Sequence, residues 1–205
     1  MDAPGVDARL AGLYEAKARA ELAEAFALAR EAAGPALPAF RGRPAAAVLL
    51  VKGIAGPEDA AAGRALAGAD WDAARKALGA LGLPADDLLG VVTRTGPEEG
   101  GKPNAGAVGR GFGDLVWLRQ VVEACDPGWV IALDEAAAAD VARAAGLERL
   151  ALGRPQGSAG RVWLAVDGLE ESLSDPVRKR RVWAQLKKLG KTWPRGVDRP
   201  DVSAK

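Results

Sequence analysis

The chain predicts an α/β fold, specifically a three-layer α/β/α sandwich with a mainly parallel central sheet. Short runs of Val, Leu and Ile without polar alternation recur along it and read as strands buried on both faces. Between them lie segments with apolar residues three and four apart, the period of a helix. The two kinds of segment alternate, as a parallel sheet with crossover helices requires.

Residues 7–33 are Ala-rich and charged, with Leu10, Leu13, Leu22 and Phe26 at helical spacing, and Gly34 and Pro35 stop the helix they predict. Pro35, Pro38 and Pro44 mark a linker. The apolar run 46–51 predicts the first strand, and a loop over 52–59 leaves it. A helix over 71–81 and a turn over 84–87 lead to a second strand at 88–93. The Gly- and Pro-rich stretch 96–113 reads as a long loop. A helix over 114–124, a strand at 129–133 and a helix over 135–145 follow. Strands at 149–152 and 162–166 complete the sheet, and a basic helix covers 176–189. The division is therefore an N-terminal helix (1–34), a Pro-rich linker (35–44), an α/β domain (45–190) and a basic tail (191–205). In such sheets a ligand sits beyond the carboxyl ends of the strands, here the loops that start at Lys52, Arg94, Asp134 and Asp167.

Composition narrows the chemistry. Ala supplies 45 of the 205 residues, so the core rests on Leu, Val and six Trp. The chain contains no His, which removes imidazole as base, acid or metal ligand. Cys125 is the single cysteine, which excludes an intrachain disulfide and any centre built from several thiolates; no cofactor or metal is expected. Without a signal-peptide pattern or a long apolar run, a soluble cytoplasmic protein with no membrane partner is expected. Net charge is +1, but residues 176–205 carry ten Lys/Arg against two Asp, so the C-terminal segment is strongly basic and the rest acidic.

The run AVLLVKGIAGPEDAAAGRALAG at 47–68 resembles the first motif of the uracil-DNA glycosylases, in particular their bacterial and archaeal iron–sulfur branch, with Gly56, Pro57, Asp59, Gly63, Arg64 and Gly68 in register. The strand at 88–93, Trp117-Leu118, the stretch from Pro127 to Leu133, and the run DPVRKRRVWAQLKKL at 175–189 resemble later segments of that family in the same order. The resemblance spans about residues 45–190 and implies the glycosylase fold, with a base pocket around Ile54, Ala55, Gly56 and Leu66. It also shows what has been replaced. Uracil excision uses a carboxylate, a base-reading amide, a stacking ring and a donor to the leaving base. Their places are taken by Gly53, Gly90, Leu66 and Gly168. Two cluster-cysteine positions fall on Arg94 and Asp114, and no Cys precedes the first strand.

Asp59 is the acid retained in the first motif; it can position a water or simply brace its loop. Asp134 opens a helix as an N-cap, and Asp167 ends a strand in a turn. The run from Gly109 to Gly113 has a dinucleotide-loop look but follows no strand, so it reads as loop. Most of the tryptophans read as core; Trp193, beside Pro194, is the one expected to be partly exposed.

Arg178, Lys179, Arg180, Arg181, Lys187 and Lys188 lie on the basic helix, with Val182, Leu186 and Leu189 as its inner stripe. Clustered cations of this kind either solvate a helix face or neutralise phosphates. The expected function is a degenerate glycosylase-like module that binds DNA through this helix, or binds a repair or replication protein. The alternatives are a diverged glycosylase or nucleotide hydrolase with a site rebuilt from Asp59, Asp134, Asp167 or Glu170, and a structural subunit of a complex. Because one thiol cannot replace four, the purified chain is expected to be colourless and free of iron. Stoichiometric iron with visible iron–sulfur absorbance would contradict this.

Overall fold

The computed structural model describes residues 4–33, 35–95 and 115–191. Its centre is strand β2 (Val48–Ile54), which runs parallel to both neighbours, β3 (Leu88–Arg94) and β4 (Trp129–Ala132). Strand β6 (Arg161–Ala165) adds to β4, again parallel. All four are almost wholly buried, which accounts for their unbroken apolar runs.

The sheet is mixed rather than mainly parallel, because short antiparallel strands close both edges. On one edge β1 (Arg41–Gly42) pairs with β3; on the other, β5 (Gln156–Ser158) pairs with β6. The spatial order is β1-β3-β2-β4-β6-β5. The stretch read as a linker thus supplies an edge strand. The strand expected at 149–152 is reduced to a single bridge from Leu152 to Ala165. Gly153, at φ 66°, turns the chain there, and Pro155 lacks the N–H a continuing strand needs.

Helices cover both faces. Helix α1 (Pro4–Ala33), α4 (Val116–Cys125) and α5 (Glu135–Ala144) lie on one, where Leu22, Phe26, Trp117, Leu118 and Val141 pack on Leu49, Val51, Leu89 and Val91. Helix α3 (Ala69–Ala80) and α6 (Pro176–Leu186) lie on the other, where Trp71, Leu78, Val182 and Leu186 pack on Val48, Leu50, Val92 and Leu164. Between β2 and α3 a short helix α2 (Pro57–Ala62), unseen in the sequence, starts with Pro57 at its first position and ends at Gly63 in the left-handed conformation.

Period-two alternation decides what each β2 residue serves. Val48 and Leu50 face α3 and α6, and Leu49 and Val51 face α1, α4 and α5. The same count puts Lys52 on the α3/α6 side and Gly53 on the α5 side. Among the described residues no helix is long and apolar enough to cross a membrane. The loop read at 96–113, with its Gly109–Gly113 run, Asp114, and the tail from 192 onward with Trp193 lie outside the described residues.

Candidate functional site

A cavity of about 570 Å³ opens at the carboxyl ends of the parallel strands, lined by Lys52, Ile54, Asp70, Arg94, Asp134 and Glu170, among others. Three of the four residues that start the carboxyl-edge loops, Lys52, Arg94 and Asp134, therefore reach it. The fourth loop contributes Leu169, Glu170 and Glu171 rather than Asp167.

Lys52 is the hub. Its side chain comes off the inward face of β2 and is 5% exposed. The ammonium lies 2.7 Å from Asp59 Oδ2, 3.1 Å from Asp70 Oδ2 and 2.7 Å from Glu170 Oε2. An ammonium has three protons to donate, and three carboxylates take them. Burial pulls the Lys52 pKa down, but the hydrogen bonds to Asp59 and Glu170 and the charges of Asp70 and Asp59 outweigh it, so the net shift is upward. At neutral pH this amine holds its proton and is no nucleophile.

Asp59 is fully buried and fully engaged: Oδ2 also accepts from the Gly56 amide at 2.8 Å, and Oδ1 from the Ala67 amide at 2.7 Å. It braces the loop that the resemblance had made its candidate water-positioning acid. Asp70 accepts from the Trp71 amide at 2.9 Å. Glu170 is different, with 42% of its side chain exposed to the cavity mouth.

Next to this hub a second buried acid, Asp140 on α5, gathers cations. Arg94 grips both its oxygens, at 3.0 Å through Nε and 2.6 Å through Nη2, and Arg143 donates at 2.7 Å. The Thr93 hydroxyl lies 2.7 Å from Asp140 Oδ2 and 2.9 Å from the Gly53 carbonyl oxygen, and donates to one of them at a time. Arg94, one of the expected cluster-cysteine positions, is thus a structural cation.

The degenerate positions have physical occupants. A Cβ on Gly53 would lie 2.5 Å from Asp134 Oδ1, 2.6 Å from Ala136 Cβ and 2.7 Å from the Ala137 nitrogen. Position 53 faces the start of α5, where Asp134 caps the helix through the Ala137 amide at 2.7 Å and takes the Gly53 amide at 2.8 Å. A Cβ on Gly90 would meet Leu66 at 3.0 Å and Trp71 at 3.1 Å. Leu66 is wholly buried with φ 50°, its carbonyl accepts from Arg41, and that guanidinium lies 4.5 Å over the Trp71 ring. Leu66, Trp71 and Gly90 thus make solid core. Ala55 is buried beside them, whereas Ile54 is exposed at the cavity. Gly56 abuts Lys52 and Glu170, and Gly168 is at φ 68° beside Glu171 and Arg178. The expected pocket residues therefore divide between cavity wall and core. Cys125 sits away from the cavity at the end of α4; burial, chiefly, pushes its thiol up to about 12, and it donates to the Ala46 carbonyl at 3.3 Å.

The six cations of α6 and the turn after it divide too. Arg181 donates to Asp167 Oδ2 at 2.5 Å, and Lys188 to the Gly153 carbonyl at 2.6 Å. Among the described residues no ion pair engages Lys179, Arg180 or Lys187, which are exposed; Arg178 is half-buried near Gly168. Asp175 caps the helix, and the Arg178 and Val177 amides that bond to it hold its carboxyl below the usual range.

Sequence reasoning missed Lys52 and Asp70. The signal was present: a lysine in phase with Val48 and Leu50 on a strand buried on both faces needs a buried counter-charge. Among the described residues no group of three or more His, Cys, Asp or Glu is arranged to hold a metal. No family model and no curated protein matches the chain.

Replacing Lys52 by Met leaves the carboxylates of Asp59, Asp70 and Glu170 facing one another, and is expected to lower stability by about 3–5 kcal/mol in urea unfolding at neutral pH. Since the folded Lys52 ammonium holds its proton more tightly than the unfolded one, its contribution to the native chain is present at neutral pH and is lost as pH rises beyond the ordinary lysine range. An unchanged urea midpoint would contradict the hub. Gly53→Glu is expected to cost about 2–4 kcal/mol, from overpacking against α5 and loss of its cap together. A variant as stable as the parent would show that position 53 has room for a side chain.

Proposed function

We propose that this chain is a uracil-DNA glycosylase-like module that binds nucleic acid through α6 and does not excise bases. The observation that carries the reading is the set of exposed cations on α6 and at its C-terminal cap, Lys179, Arg180 and Lys187, left without ion pairs among the described residues on a helix already anchored by Val182 and Leu186. Such cations add nothing to the core. They are free to replace counterions on a phosphate backbone. The resemblance over residues 45–190 supplies the nucleic-acid context.

Two features argue against excision. Positions 53 and 90 are glycines hemmed in by α5 and by Leu66 and Trp71, so the space that a carboxylate and an amide would need is occupied. The acids that remain are engaged: Asp59 by Lys52 and two amides, Asp134 by α5, Asp167 by Arg181. A rebuilt hydrolytic site would fall to Glu170 and Asp70 on the cavity wall. That wall also carries Asp134, Glu135 and Glu171, and so much negative charge opposes a nucleotide phosphate. A repair or replication protein remains the other partner the α6 face would suit, if it presents acidic groups.

Binding to labelled DNA, followed by anisotropy over a series of salt concentrations, tests the reading. With roughly three or four phosphates neutralised, the log–log salt slope for duplex should be about −3. The triple variant Lys179→Gln, Arg180→Gln, Lys187→Gln should flatten it, with Arg181→Gln having less effect because that cation is already paired. Absence of binding at low salt, or uracil release that survives repurification, would overturn the proposal.

A further inference from the structure

Of the described tryptophans, Trp71, Trp117, Trp129 and Trp163 are buried, while Trp183 on α6 is 36% exposed. Its neighbours on the helix surface are Lys179 four residues before, Arg180 three before and Lys187 four after, the spacings that bring side chains together. The buried stripe of Val182, Leu186 and Leu189 lies to one side of this group. Arg181 and Lys188, the engaged cations, fall on the opposite flank with Asp167 and Gly153. The unpaired cations and the partly exposed indole thus share one flank.

We infer that this flank is a single-strand reader, in which Trp183 stacks on an unpaired base while Lys179, Arg180 and Lys187 hold the adjoining phosphates. The inference rests on the proposed nucleic-acid binding and specifies its substrate. A ring bordered by cations presents both elements that single-stranded nucleic acid requires, a face for the base and charge for the backbone. In a duplex the base faces are covered by their neighbours, so the ring has no partner and only the phosphate contacts remain. The flank therefore favours single strands, with little dependence on sequence because every base offers a π-face. Cations alone would not discriminate in this way, and an acidic protein surface would make no special use of the indole.

The test compares the full-length chain with Trp183→Ala and Trp183→Leu, the latter keeping an apolar side chain on the helix without a ring. Binding to a thymidine oligonucleotide and to a matched duplex is measured by anisotropy at two salt concentrations, and tryptophan emission is followed in the same titration. Both variants should bind the single strand about tenfold more weakly, keep their duplex affinity, and keep the parental salt slope, since stacking releases no counterions. The single strand should quench the parent's emission, and both variants should lose most of that quenching. Single-strand binding unaffected by either variant, or weakened no more than duplex binding, overturns the stacking role and leaves nucleic-acid binding standing. Failure of the parent to bind either DNA at low salt overturns the two together.

Discussion

The carboxyl edge of the sheet is organised by one ammonium. Lys52 is carried inward by the alternation of β2 and meets acids from three other segments: Asp59 in α2, Asp70 at the start of α3, and Glu170 in the loop that leads from β6 to α6. A charge this deep is tolerated only when its protons are taken up, and here all three are. The consequence is mechanical as well as electrostatic. The loop after β2, the entry to α3 and the segment that leads to α6 are tied to one atom.

This arrangement also separates the charges of the molecule. The cavity wall collects Asp70, Asp134, Glu135, Glu170 and Glu171, with Lys52 and Arg94 internally neutralised. Just outside, α6 presents Lys179, Arg180 and Lys187. A polyanion is repelled by the first surface and attracted by the second, so a nucleic acid on this protein is directed to a helix face beside the cavity. Glycines 53 and 90 hemmed in by their neighbours, together with an open basic flank, are what the two halves of the proposed function rest on.

The strands β2, β3, β4 and β6 were legible in the sequence because burial on both faces leaves an uninterrupted apolar run. The inner stripe of α6 was legible for the equivalent helical reason: Val182, Leu186 and Leu189 are buried as their spacing requires. Edge strands β1 and β5 were not, since two or three residues of Arg, Gly, Gln and Ser carry no hydrophobic pattern. At the site, Asp134 as an N-cap and Asp59 as a loop brace were among the readings that local sequence offered, because both roles depend on near neighbours. The Lys52–Asp70 contact joins residues 18 apart across two elements, and its partner choice depends on where α3 lands. Leu66 lies in the core with Trp71 and Gly90 on a left-handed backbone, a conformation that its residue type gives no warning of. Trp193 lies outside the described residues, and the exposure of Trp183 was not legible because it lies one residue from the inner stripe.

The most direct measurement is photocrosslinking of the full chain to a single strand carrying 5-bromodeoxyuridine, with the adducts located by mass spectrometry of proteolytic peptides. The account predicts adducts within residues 176–188, centred on Trp183. Adducts confined to the cavity segments at 52–59, 133–136 or 167–171 would contradict it, because they would place the base where the structure gathers its negative charge.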